Sequence, residues 1–179
     1  MAGSIFVAFL AGYAPQWRDV VVDGIREAFP HAVEPLALDV DLAPAFASDR
    51  GQYHATLILA ALLRHLPDER GKILGITAVD LYIPVLTFVF GQAQLDGPGA
   101  VVSTFRLRNE FYGLSPNEGL VVERTIKEAV HELGHGFGLV HCAEPACVMH
   151  ASSYVEEVDT KPAEFCSRCQ GMLESGLPG

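Results

Sequence analysis

Residues 131–142 read His-Glu-Leu-Gly-His-Gly-Phe-Gly-Leu-Val-His-Cys. Two histidines four apart lie one turn from each other on the same face of a helix. His131 and His135 can therefore bind one metal ion without bending the backbone. Glu132, beside the first of them, is placed to hold a metal-bound water and take its proton. Gly138 can end the helix in a left-handed conformation and turn the chain so that a third imidazole, His141, reaches the same ion. Three protein ligands with an open fourth position describe a catalytic zinc site rather than a structural one. The chemistry of such a site is peptide-bond hydrolysis, with Glu132 as the catalytic group. A His-Glu-x-x-His string alone arises by chance; adding Gly138 and His141 at fixed distances is far more demanding.

All four cysteines follow His141: Cys142, Cys147, Cys166 and Cys169. Two close pairs of thiolates match a tetrahedral structural zinc site. A disulfide framework and a redox-active Cys-x-x-Cys are the alternatives. The first sits poorly with a chain lacking a convincing export signal, the second with a Cys142/Cys147 pair alongside. The cofactor expectation is thus two zinc ions, one catalytic and one structural. Because Cys142 adjoins His141, the two metals would lie on the order of 10 Å apart. A closed site would tie the strand carrying His141 to the segment from Cys166 onward. It would also stabilise a C-terminal stretch with too few apolar residues for a core of its own.

Positioning these groups requires a folded domain, and 179 residues, half of them apolar, suffice for one. Ile5 to Ala11, Ala32 to Val40 and Lys72 to Leu81 read as strands, separated by amphipathic helices over Gln16 to Phe29 and Gln52 to Leu66. Leu86 to Ala93 and Val101 to Leu107 read as two further strands. The short turn-forming link between them, around Gly97-Pro98-Gly99, makes that pair antiparallel. The expected fold is α/β (α+β): a mixed, mostly parallel five-stranded sheet with one antiparallel edge strand. Ser115 as N-cap, Pro116 and Glu118 predict the start of the active-site helix. Val122, Ile126, Ala129, Val130, Leu133 and Phe137 form its sheet-facing stripe. One compact domain is expected, with 1–138 as an N-terminal subdomain and 139–179 as a small zinc-bound C-terminal one.

The net charge of −10, without a basic cluster, argues against nucleic acid and anionic membranes as partners. No run is long enough to span a bilayer, and the uncharged N-terminus lacks a basic leader region, so a cytoplasmic monomer is expected. His31, His54 and His65 show no ligand spacing and are expected at the surface.

From His131 to Cys169 the sequence resembles the archaemetzincin family of metzincin zinc metalloproteases. The long histidine motif runs directly into Cys142, followed by Cys147, Met149 and the closing Cys166 and Cys169. The resemblance implies a peptidase of peptide or protein substrates, with His131, His135 and His141 on the catalytic zinc and Glu132 as base and then proton donor. The four cysteines would hold the second ion. Met149, core filler by itself, would form the methionine turn beneath the first. Substrate would add to the edge strand Leu86 to Ala93 by β-augmentation. Several metzincins place a tyrosine two residues after the methionine, but here position 151 is Ala, leaving Tyr154 or His150 as candidate oxyanion stabilisers. The rival reading is a zinc-stabilised peptide-binding protein with a latent site, which has no evident need for Glu132.

Overall fold

Alternation along the first strand separates two cores. In this computed structural model, which describes residues 3–176, the chain begins with β1 (Ile5–Phe9), α1 (Arg18–Ala28), β2 (Val33–Leu36), β3 (Phe46–Ala47) and β4 (Gln52–His54). It continues through α2 (Ala55–Leu63), β5 (Lys72–Thr77), β6 (Leu81–Ile83), β7 (Leu86–Val89), β8 (Gly91–Ala93) and β9 (Gly99–Ser103). The last elements are α3 (Glu118–Gly136), α4 (Val155–Thr160) and α5 (Ser167–Ser175). The main sheet has the order β2-β1-β5-β9-β8, parallel throughout except for the edge strand β8, which pairs antiparallel with β9. This is the five-stranded mixed sheet expected.

On one face of the sheet Ile5, Val7, Leu74, Ile76, Ala100 and Val102 pack against α1 and α3. On the other, Phe6, Ala8, Ile73 and Val101 meet Ala55, Ile58 and Leu62 of α2. The period of two assigns neighbouring residues to opposite layers. Cys142, Cys147, Val148, Met149, Cys169 and Leu173 join the α1–α3 side, so the C-terminal segment shares the main core. Polar staples add to this: Arg124 of α3 meets both Asp159 carboxylate oxygens at 2.6 Å, and Lys127 donates to the Val158 carbonyl at 3.3 Å.

A second, four-stranded sheet, β3-β4-β6-β7, was not expected, and it shortens several predicted elements. Residues 52–54 pair with β3 and β6 instead of opening the helix, because the Gln52 side chain reaches Asp80 at 3.0 Å. The third strand ends at Thr77, whose hydroxyl accepts from the Val79 N–H at 3.4 Å and so begins a turn. Ser103 similarly ends β9: its hydroxyl accepts from the Phe105 N–H at 3.0 Å and starts a short 3-10 turn. The single strand expected over Leu86 to Ala93 breaks at Phe90. That ring is buried with Leu107, Val155 and Val158, so β7 belongs to the small sheet and β8 to the large one.

Asn117, not Ser115, caps α3, accepting from the Leu120 N–H at 3.1 Å. The Ser115 carbonyl instead accepts from the Asn109 side chain. At the other end Gly138 takes φ +89°, and its N–H bonds the His135 carbonyl at 2.9 Å, the left-handed exit the motif required. No helix among the described residues is long and apolar enough to cross a membrane.

Candidate active site and metal centres

The last two turns of α3 carry His131 and His135, and the left-handed exit at Gly138 returns the chain so that His141 faces them. One ring nitrogen from each of the three lies within 4.8 Å of the others. His131 Nδ1 donates to the Val148 carbonyl and His135 Nδ1 to the Leu139 carbonyl, each at 2.7 Å. A carbonyl can only accept, so each Nδ1 holds the hydrogen and each Nε2 presents a lone pair. Those two Nε2 atoms are 3.1 Å apart. Burial holds all three imidazoles below their ordinary pKa of 6.5, favouring the neutral form. Converging neutral lone pairs repel one another unless a cation lies between them, and that donor set suits zinc.

Glu132 is buried beside His131. Burial first, and then the neighbouring Glu128 carboxylate, push its pKa well above the usual carboxylate value, while Lys161 opposes this. Its side chain lies against Gly91 of the edge strand: a β-carbon there would stand 2.7 Å from Glu132 Cγ and 2.8 Å from the Val101 carbonyl oxygen. Gly91→Ala is accordingly expected to lower kcat on the order of 10- to 100-fold by displacing Glu132, with zinc content unchanged. Steady-state kinetics beside elemental analysis would check this; wild-type kcat in the variant would refute the steric argument.

The histidines and Glu132 open onto a cleft of about 530 Å³. Phe88, Phe90 and Gly91 line one side, Ala151 to Tyr154 the other, and Glu128 lies among the α3 residues between them. The edge strand has a defined parity. Phe90 and Gln94 bond inward to Ser103 and Gly99, so the N–H and C=O groups of Gly91 and Ala93 point to the free edge. Of the two candidate oxyanion stabilisers, Tyr154 lines the cleft and is 68% exposed. His150 is turned away, its Nδ1 bonded to the Cys142 carbonyl at 3.0 Å.

Met149 is fully buried beneath the histidines against Gly134, where a β-carbon would collide with its sulfur. The Met149 carbonyl accepts from the Cys142 N–H at 2.9 Å, joining the turn around Met149 to the segment that links the histidines to the cysteines.

The four cysteines are free thiols whose sulfurs lie within 4.8 Å of one another. Cys142 and Cys166 are separated by 3.9 Å, close to the edge of about 3.8 Å that a tetrahedral zinc–thiolate site requires. Sulfur also accepts from the Glu144 and Cys166 N–H groups and from the Arg168 guanidinium, bonds that favour thiolate. The Cys169 N–H holds the Cys166 thiol at about 7, while burial pushes Cys147 up. Among the expected surface histidines, His65 is exposed. His31 and His54 are half-buried, each with an enclosed Nδ1, because they pack on Phe137 and Tyr82.

Gly91, Gly134, Glu128 and Lys161 escaped sequence reasoning. Only Glu128, one turn before Glu132 on the ligand-bearing helix, offered a positional signal.

A histidine triad with an adjacent carboxylate at the end of the sheet-packed helix, above a buried methionine, defines the metzincin class of metallopeptidase. The family profile of "Peptidase family M54" matches residues 36–175, and the chain belongs to that family. An archaemetzincin of Methanocaldococcus jannaschii is 45% identical over 130 residues, 73% of this chain and 70% of that one. The crystal structure of an archaemetzincin from Methanopyrus kandleri superposes with a TM-score of 0.85 at 38% identity, covering 98% of this chain and 96% of that one. A zinc-dependent peptidase from Methanocorpusculum labreanum reaches a TM-score of 0.87 at 29% identity, covering 95% and 100%. The protein is a zinc metallopeptidase of peptide substrates.

Proposed function

We propose that this chain cleaves peptide bonds at the His131–His135–His141 centre, with Glu132 as general base and then proton donor. The observation that carries the reading is the pair of Nε2 lone pairs 3.1 Å apart, with a buried carboxylate beside them and a cleft in front. His131, His135 and His141 would hold one zinc ion, and Cys142, Cys147, Cys166 and Cys169 a second, structural one. Bound at the histidines, zinc would supply a Lewis acid that polarises the scissile carbonyl and acidifies water. The chain's own groups do the rest. The free-edge N–H and C=O groups of Gly91 and Ala93 pair with the substrate backbone and hold it extended across the cleft. Glu132 takes a proton from the attacking water and passes it to the leaving amine. Tyr154 donates its hydroxyl hydrogen to the developing oxyanion.

The Val148 and Leu139 carbonyls orient the two helical imidazoles, and Met149 supports them from below. Every group required comes from one chain, so a monomer suffices. Residues 1–138 supply sheet, helix and base; residues 139–179 supply the third histidine, the cysteines and the outer cleft wall.

Elemental analysis of chelator-free, reduced protein is expected to give about two zinc ions per chain. The same preparation should cut members of a broad peptide library. Fully loaded protein that leaves the library uncut would favour a zinc-stabilised peptide binder instead.

A further inference from the structure

Glu128 is 3% exposed, yet it lines the cleft one helical turn before Glu132. Its Oε1 makes no hydrogen bond, and the Lys161 ammonium lies 3.0 Å from it. Lys161 is 2% exposed, donates to the His150 carbonyl at 3.2 Å, and is absent from the cleft lining. The cleft therefore meets a carboxylate whose charge is cancelled from behind. Holding α4 in place does not explain the pair, because Arg124 and Lys127 already fix residues 158 and 159 to α3. Phe88, Val89 and Phe90 add an apolar wall to the same cleft.

We infer that the Glu128–Lys161 pair determines substrate specificity: Lys161 masks Glu128, so the subsite beside Glu132 takes an uncharged side chain and refuses a charged one. A substrate ammonium would have to share the carboxylate with Lys161, two like charges beside a group that is itself 3% exposed. A substrate carboxylate would meet Glu128 directly. Both arrangements leave a charge uncompensated in a buried setting, where pairing matters most. The identity of the occupant, a peptide side chain, rests on the peptidase reading above.

The test separates the two. Labelled alanine–glycine peptides carry a single Leu, Gln, Lys or Glu at each position in turn. Their binding to zinc-loaded full-length Glu132→Gln protein is followed by fluorescence anisotropy, and their cleavage by the wild type is measured in parallel. Leu and Gln peptides are expected to bind about tenfold or more tightly than Lys or Glu peptides. Adding Lys161→Met should raise the Lys-to-Leu affinity ratio about tenfold, and Glu128→Gln alone should raise the Glu-to-Leu ratio similarly. The Glu128→Gln/Lys161→Met double variant, which leaves neither member of the pair as an unpartnered charge, should restore the uncharged ranking, and Lys161→Arg should never lose it.

A ranking that both single variants leave unchanged, or a parallel loss for all peptides, would overturn the inference and make the pair structural. Binding with the expected ranking and no cleavage by the wild type would sink the peptidase reading and leave this one standing. Cleavage without that ranking would do the reverse.

Discussion

Glu132→Gln is expected to retain its zinc and lose roughly 10²- to 10⁴-fold in kcat. Glutamine has the volume and shape of the carboxylate, so the contact with Gly91 and the packing beside His131 survive. What disappears is the capacity to accept a proton. The side chain is not itself one of the clustered ring nitrogens, so the three imidazoles stay together. The result is a kcat defect with near-normal zinc content and peptide binding, the pattern of an interaction made in the transition state. Glu132→Ala should lose at least as much and leave a hole beside Gly91. A glutamine variant that hydrolyses peptides at the wild-type rate would show that another group takes the proton.

Cys147→Ser is expected to have the largest effect on stability. Cys147 is fully buried, and its neighbours Val148 and Met149 belong to the core shared with α1 and α3. A structural zinc held by the four cysteines would contribute on the order of 10 kcal/mol of apparent binding free energy, comparable to the whole stability of a domain. Even a third of that, lost from a chain of this size, lowers the unfolding temperature by roughly 10 °C.

The damage should reach the histidines. The Val148 carbonyl orients His131, and Cys142 is covalently joined to His141, so loosening the cysteine knot misplaces two of the three imidazoles. Zinc affinity at the histidine centre should fall about 10- to 100-fold, as for loss of an orienting hydrogen bond. Calorimetry and elemental analysis would read both effects. A variant that melts with the wild type and keeps both ions would remove the structural-site reading.

Much of the catalytic cluster was legible along the chain because its geometry is local. One helical turn brings His131 and His135 together, and a left-handed glycine three residues on delivers His141. The cysteine pairs are also short-range patterns, whereas Met149 stood out only through the family resemblance. Alternation and turn residues likewise marked the five main strands and the antiparallel edge.

The failures share a cause. Periodicity cannot tell that Phe90 prefers a pocket formed with Leu107, Val155 and Val158, so it could not foresee the break between β7 and β8. Nor could it favour Asn117 over Ser115, since the choice depends on a bond from the Asn109 side chain. Spacing alone likewise left Tyr154 and His150 equal, whereas the bond to the Cys142 carbonyl turns His150 aside.

By itself, then, the sequence determined the histidine motif, the two close cysteine pairs and the strands of the main sheet, because each shows in spacing within a turn, a strand or a short loop. Tertiary structure alone decided what surrounds that cluster: Gly91 against Glu132, Met149 under Gly134, and Lys161 behind Glu128. Those contacts join segments far apart in the chain. They follow from how the layers pack, and no local pattern encodes that.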